Sequence, residues 1–406
     1  MTGRDAMMDT ALRTPKSGYL YRRLVSALQD LITEYDGTVR DASDNIVQFA
    51  FGGDGLAVEG LHKGQKVSPG EAIGIITAQS FGESSTQMVL NVFHSAGVAE
   101  MQVTQGLPRL IEILDARKKP STPTMEIFLD KEHNNEKDSR IIAEKIKEVK
   151  LKEIMSEINI DFATKKLEVV VDKESLKRVH IGIDKVVEVL DEKGFKSKKK
   201  GEDALMLNLE ESTFKDMYRI KQRIKETIIS GVKGIEQVLV VKRDANYVIL
   251  TAGTNLNDIL QFKGVNPEKV FTNDLHEIAG MLGIESARQA IMDEINKVLV
   301  SQGLDIDRRH LTLVADAMTS SGVVKGVTRV GIISDKSSVL ARASFETPVK
   351  HFTNATRTGK KDKMESVIEN IILNQPVPVG TGLPGLLVKV TGSLAGEAEK
   401  KKKAKW

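Results

Sequence analysis

GESSTQMVLNVFHSA, residues 82–96, reads as a helix with an unusual face. Wound on a 3.6-residue period, Gln87, Leu90, Asn91 and His94 fall on one narrow side. That side carries an amide, an aliphatic contact, a second amide and an imidazole. A core face would be uniformly apolar, and a solvent face would not bracket a leucine in this way. Gly82 and Gly97 flank the segment, and Ser84, Ser85, Val89 and Val92 lower its helix propensity. The segment is therefore predicted to fold and unfold. A helix that presents hydrogen-bonding groups only when folded suits closure over a polar substrate. Taken alone, the pattern also fits an amphipathic helix whose polar side holds one histidine.

The surrounding sequence favours the first reading. PGEAIGIITAQSFGESSTQMVLNVFHSAGVAEMQVTQGLPRLIEILDARKKPSTP, Pro69 to Pro123, resembles the trigger loop and its two supporting helices in the largest subunit of multisubunit RNA polymerases. The arrangement resembles the archaeal A-double-prime chain, the C-terminal piece of a split largest subunit. By position, Gln87 and Asn91 resemble the residues that hydrogen-bond the sugar of the incoming nucleotide. Leu90 resembles the residue that packs on its base, and His94 the one that reaches the triphosphate. The residue types suit these roles. Amides donate and accept, so they can sense ribose hydroxyls. An aliphatic side chain presses on any base without reading it. An imidazole near neutral pH can offer charge or a proton to the departing pyrophosphate. Ser84-Ser85 stands where relatives carry a proline-containing pair, Val89 and Val92 where threonine is frequent, and Ser95 where an aromatic follows the histidine.

Two further stretches carry the resemblance. The stretch from Gly3 to Gly55, which opens GRDAMMDTALRTPKSGYLYRRL, resembles the C-terminal part of the polymerase bridge helix and the segment after it. The resemblance implies that Thr14 and Pro15 face the template base and Tyr19 the next template position. It places Arg22 and Arg23 near the DNA backbone; a surface helix with an ordinary basic pair is the bland alternative. Relatives carry a small non-proline residue at the position of Pro15, and only a short linker, 57–68, stands where an unsplit subunit has a long funnel-forming stretch. SVLARASFETPVKHF, 338–352, with IENIILNQPVPVGTG, 368–382, resembles the cleft and clamp-base region with its first switch segment. There Arg342 resembles a residue that contacts template-strand phosphate, for which charge suffices without base identity. A salt bridge on a helix surface is the equal alternative for a lone arginine. The family's upstream Arg-His-Gly appears here as Arg329-Val330-Gly331.

Composition sets bounds. At 406 residues the chain has room for two to three domains of roughly 150 residues each. Hydrophobic residues make up 40% and aromatic ones 4%, so cores must be built from Ile, Leu, Val, Met and Ala. The absence of cysteine excludes disulfides and thiolate metal sites and fits a reducing, cytoplasmic setting. No apolar run reaches membrane-span length, so no membrane contact is predicted. The 59 basic residues nearly cancel the 56 acidic ones, so any grip on nucleic acid must be local. The aspartate-rich Asn-Ala-Asp-Phe-Asp-Gly-Asp signature, which holds the catalytic Mg2+ in this class of polymerase, is missing from the chain. So are HExxH, a P-loop and paired-histidine metal spacings. The resemblance thus implies Mg2+ held by a partner subunit and none bound by this chain alone, because two-metal phosphoryl transfer needs carboxylates from elsewhere. Its implied partners are the remaining polymerase subunits, above all the aspartate-rich N-terminal part of the largest subunit, with template DNA, nascent RNA and ribonucleoside triphosphates. The rival reading is a non-catalytic nucleic-acid-binding or assembly protein derived from such a subunit.

The predicted fold class is α+β. A bridge-helix-like segment and linker occupy 1–68, the trigger loop and supporting helices 69–123, an α+β jaw-like domain 124–254, a mainly helical cleft and clamp-base region 255–390, and a charged, disordered tail 391–406. Leu20, Leu24, Leu28 and Leu31 predict helix across 4–34, with a break or kink at Pro15. NIVQFAF, 45–51, alternates like a strand, and Pro69 is placed to open a helix. In the middle, MEIFL, KLEVVVD, ALMLNLE and EQVLVVK predict strands, with helices near 136–150, 174–192 and 212–229. Lys196–Lys200 is read as a solvated loop tip and Asn246 as part of a hairpin turn. Helices are predicted near 273–281, 284–302, 307–318, 337–357 and 363–371.

Overall fold

The computed structural model describes residues 2–58, 64–90, 106–161, 166–172, 176, 182–193, 195, 197–199, 204–208, 214–243 and 246–383. Helices alternate with small antiparallel sheets, so the chain is α+β. It divides into two compact units, one formed by Met1–Ala96, Gln105–Arg117 and Ile284–Trp406, the other by Gly97–Thr104 and Lys118–Gly283.

The first unit is built on two helices, α1 (Thr2–Leu28) and α2 (Ile73–Leu90). Leu20, Leu24 and Leu28 lie one turn apart on α1 and are buried. On α2 the buried residues Ile73, Thr77, Phe81, Ser84, Ser85, Met88 and Val89 recur at helical spacing. The two helices approach closely. A Cβ at Gly74 would run into the Leu28 carbonyl, and one at Gly82 into the Tyr21 ring.

Four local expectations are corrected here. First, α1 is not broken at Pro15 but runs through it. Ala11, Thr14, Pro15 and Lys16 are exposed, so water can take the carbonyl freed by the missing N–H. Second, α1 ends at Leu28 rather than near 34. The β-branched Ile32 and Thr33 form strand β1 (Ile32–Thr33), which pairs with β2 (Val39–Arg40) around the Asp36-Gly37 turn. Third, α2 begins at Ile73, not at Pro69. Gly70 N donates to Thr33 O (2.7 Å) and the Thr33 hydroxyl to Ser68 O (2.8 Å), which pins 68–70 to the β1 strand outside helical geometry. Fourth, Gly82 does not flank a helix but lies inside α2. The predicted strand at 45–51 shortens to β3 (Ile46–Gln48), beside β2.

Helix α3 (Leu107–Leu114) brings Arg109 and Glu112 into the interior, where Arg109 also pairs with Glu294 (2.9 Å). Glu294 belongs to α4 (Ile284–Ser301), which packs with α5 (Arg308–Thr319). The predicted helix over 337–357 is two: α6 (Val339–Phe345) and α7 (Pro348–Thr358). Pro348 cannot extend the preceding turn, and Thr347 before it takes a left-handed φ of 50°. The last predicted helix is α8 (Val367–Ile372), capped by Ser366 and Glu369.

The second unit holds two four-stranded antiparallel sheets. In one, β4 (Thr124–Phe128) pairs on one side with the hairpin strand β12 (Asn246–Ala252) and on the other with β13 (Phe271–Thr272); β11 (Gln237–Arg243) completes the hairpin. Met125, Ile127, Ile249 and Ile259 fill its core, and 255–283 packs within this unit. In the other, the order is β6 (Met155–Asp161), β7 (Lys166–Val171), β9 (Ala204–Asn208), β8 (Ser197–Lys199). Ser197–Lys199 is thus an edge strand rather than a loop tip, and lysine-rich edges resist pairing with other chains. The helices predicted near 136–150 and 212–229 stop at Ile146 and Lys225, because β5 (Val149–Lys150) and β10 (Ile228–Ser230) pair with each other. The helix predicted near 174–192 is seen over Ile183–Glu192. The tail 391–406 lies outside the described residues.

Candidate functional site

The face α1 turns toward α2 is held by hydroxyls. Ser17 Oγ lies 2.9 Å from Ser85 Oγ and 3.3 Å from Thr86 Oγ1. Ser85 Oγ and Thr86 Oγ1 each also donate to Gly82 O at 2.9 Å. Ser17 and Ser85 are both buried. Two residues on, Gln87 is exposed, as a step of about 200° around a helix requires. Leu90 closes α2. Its side chain, and all of Asn91 and His94, lie outside the described residues.

A different part of α1 meets the break between α6 and α7. Tyr19 Oη donates to Glu346 Oε1 (2.6 Å), and the Tyr19 ring stacks on Phe345 with centroids 6.4 Å apart and planes 20° off parallel. The hydrogen bond to Glu346, then burial, raises the Tyr19 phenol above its ordinary pKa; Arg23 and Arg22 oppose the shift. Arg22 Nη2 donates to Phe345 O (2.9 Å) and Ser344 O (3.4 Å), and its guanidinium lies 5.6 Å from the centre of the Phe345 ring. It therefore takes carbonyls that the end of α6 leaves unpaired. Arg329 reaches Glu346 at 3.3 Å. Arg342, half-buried, donates from Nε to Ser338 O (3.1 Å). Burial, then the positive charge of Arg342, Lys350 and Arg329, lowers the pKa of His351. Cationic groups thus converge on this elbow, with Glu346 as their acidic partner.

Of the sequence-predicted residues, Tyr19 and Arg22 meet the segment that carries Arg342. Thr14 stands apart on exposed α1, donating to Thr10 O (2.8 Å). Arg23 is 6% exposed and committed inward. Its Nε donates to Val327 O (2.7 Å), its Nη2 pairs with Asp115, and its guanidinium lies 5.6 Å from the Tyr19 ring centre. These contacts are internal, unlike the exposed basic pair of the bland alternative. Ser17 and Glu346 gave no signal in the sequence. For Ser85, the departure from the proline-containing pair was the available hint.

Among the described residues, no group of three or more His, Cys, Asp or Glu side chains is placed to hold a metal ion. Among them too, no helix is long and apolar enough to cross a membrane. A family described as RNA polymerase Rpb1, domain 5, matches residues 1–340, more than four-fifths of the 406-residue chain. The matched span takes in α1, α2, the whole second unit and the start of α6. With that match, the chain belongs to the RNA polymerase Rpb1, domain 5, family, from the C-terminal region of the largest subunit of DNA-directed RNA polymerase, a nucleotidyltransferase complex assembled with other subunits and nucleic acids.

Proposed function

We propose that this chain supplies the trigger loop of a DNA-directed RNA polymerase of the archaeal A-double-prime kind, working in the cytoplasm. In this reading α1 is a bridge helix, 124–254 is a jaw, and 255–390 forms the cleft and clamp base. The segment after α2 folds over a matched ribonucleoside triphosphate. Gln87 and Asn91 sense the sugar, Leu90 presses on the base, and His94 reaches the triphosphate. Closure expels water and aligns the phosphates, so selectivity comes partly from folding itself. The catalytic Mg2+ is held by the partner subunit. Thr14, Tyr19, Arg22 and Arg342 lie along the template, and Arg23 supports that face from behind through its inward pair with Asp115. The observation that carries the reading is the seat of α2 on α1, which leaves Gln87 exposed at the end of a helix leading into the predicted contact face.

The test is single-nucleotide addition by the assembled polymerase, wild type against His94→Ala. A loss of roughly tenfold or more is expected for a positioned charge or acid–base contact, with template binding unchanged. Equal rates would remove His94 from the mechanism. No addition by the wild-type assembly would favour the non-catalytic binding or assembly role.

A further inference from the structure

We infer that α7, with the two lysines that follow it, is a docking surface for an acidic, apolar-anchored segment of another subunit of the polymerase. The surface lies within the first compact unit and is independent of the segment after α2.

No residue of α7 (Pro348–Thr358) is buried. A helix of 11 residues is marginal in water by itself and draws its stability from packing an amphipathic face. α7 rests on α6, yet Val349 is 76% exposed and Phe352 46%. With the exposed Thr356 they form one stripe, at spacings of three and four residues. An open apolar stripe rimmed by charge marks a protein contact. Here the rim has one sign. From Thr347 to Lys361 the chain has no acidic residue and carries Lys350, Arg357, Lys360 and Lys361, all exposed. Among the described residues none of these four has an ion-pair partner. The acids on either side are engaged elsewhere. Glu346 is taken by Tyr19 and Arg329, and Asp362 accepts from Ser338 Oγ and Val339 N at 2.8 and 2.9 Å at the start of α6. Charge complementarity therefore calls for an occupant rich in Asp and Glu, and the stripe for apolar anchors about one helical turn apart. Phosphates would satisfy the cations but not the stripe. Nor are the α7 hydroxyls turned outward to phosphate, since Thr353, Thr356 and Thr358 donate to Val349 O, Phe352 O and Asn354 O at 2.8, 2.8 and 2.9 Å. A protein segment fits both features, and family membership supplies its source in the other subunits.

The test uses the assembled polymerase and a carbodiimide, which joins an amine directly to a carboxylate that it touches. Lys350, Lys360 or Lys361 should couple to Asp or Glu of one other subunit, with a yield that falls as salt is raised. Val349→Ser with Phe352→Ser should then weaken retention of that same subunit on the order of tenfold, read by native mass spectrometry on dilution. Neither residue is buried, so thermal unfolding of this chain should be unchanged. Coupling confined to this chain or to a second copy of it, or no coupling at all, would overturn the inference. So would a coupled subunit that the double variant retains as firmly as wild type. If template DNA, rather than a subunit, shields the three lysines from an amine-acylating reagent, the surface holds nucleic acid and the inference falls.

Discussion

Tyr19 and Glu346 stand 327 residues apart in sequence, yet the Tyr19 hydroxyl donates to the Glu346 carboxylate across 2.6 Å. The bond joins α1 to the sharp break between α6 and α7, where Thr347 takes its left-handed backbone. Tyr19→Phe keeps the stacking on Phe345 and removes only the bond. Tyr19 is 46% exposed, so the cost should be about 1 kcal/mol rather than the larger value for a buried charge-assisted bond. The phenol is raised above its ordinary pKa of 10.0, and only the protonated form donates. The bond's contribution is thus complete below pH 10 and disappears as pH rises through the raised value. Denaturation curves for wild type and Tyr19→Phe should differ at neutral pH and converge at strongly alkaline pH.

Gly82 should resist substitution by alanine although it lies in a helix interior. Gly→Ala in an open helix gains roughly 0.5–1 kcal/mol. Here a Cβ would come within 2.9 Å of Tyr21 Cγ, at the root of the ring rather than at its flexible end. Overpacking of this kind costs about 1–3 kcal/mol. Gly82→Ala should therefore destabilise the chain in thermal unfolding, and in a Tyr21→Ala background it should become neutral or stabilising. Destabilisation in both backgrounds would place the cause elsewhere.

What the sequence disclosed and what it hid divide along physical lines. Periodicity located helices at Ile284–Ser301 and Arg308–Thr319 almost to the residue, because each is amphipathic and bounded by its own cap or glycine. It misjudged Ser197–Lys199, where a run of lysines looks like a turn unless the partner strand Ala204–Asn208 is known. Of the break or kink expected at Pro15, the break does not occur, because the lost bond lies in an exposed turn. The face containing Gln87 could be read from helical spacing alone. The contacts behind it could not, since Ser17 and Ser85 are 68 residues apart and a hydroxyl pair leaves no periodic trace.

The Asp54–Arg309 pair gives a second pH dependence, of opposite sign. Arg309 binds Asp54 through Nε and Nη2 at 2.9 and 2.5 Å, and these hydrogen bonds bring the Asp54 carboxyl from 3.8 down to about 2. A depressed carboxyl contributes stability above its unfolded pKa and loses it as pH falls through the folded one, here between about 4 and about 2. NMR titration of Asp54 should find that low midpoint, and Arg309→Gln should return it toward 3.8. An unshifted midpoint in wild type would mean that the pair does not form in solution.

Arg22 and Arg23 are neighbours in sequence with different predicted fates. Arg23 is enclosed, while Asp115 is partly exposed and has a second cation, Arg117, at 3.8 Å, so Arg23→Met loses the inward pair and the bond to Val327 O and should cost about 2 kcal/mol. Arg22 is exposed and bound to carbonyls at the end of α6, so Arg22→Met should cost about 1 kcal/mol or less. Template binding should reverse the ranking. A side chain that meets phosphate lowers the slope of log affinity against log salt by about 1 when removed, whereas one committed to a buried partner leaves the slope alone. In the assembled polymerase, Arg22→Met and Arg342→Met should each flatten that slope, while Arg23→Met should weaken the fold without changing it. A flattened slope for Arg23→Met at full stability would mean that the arginine leaves Asp115 when DNA is present, and would return it to the template.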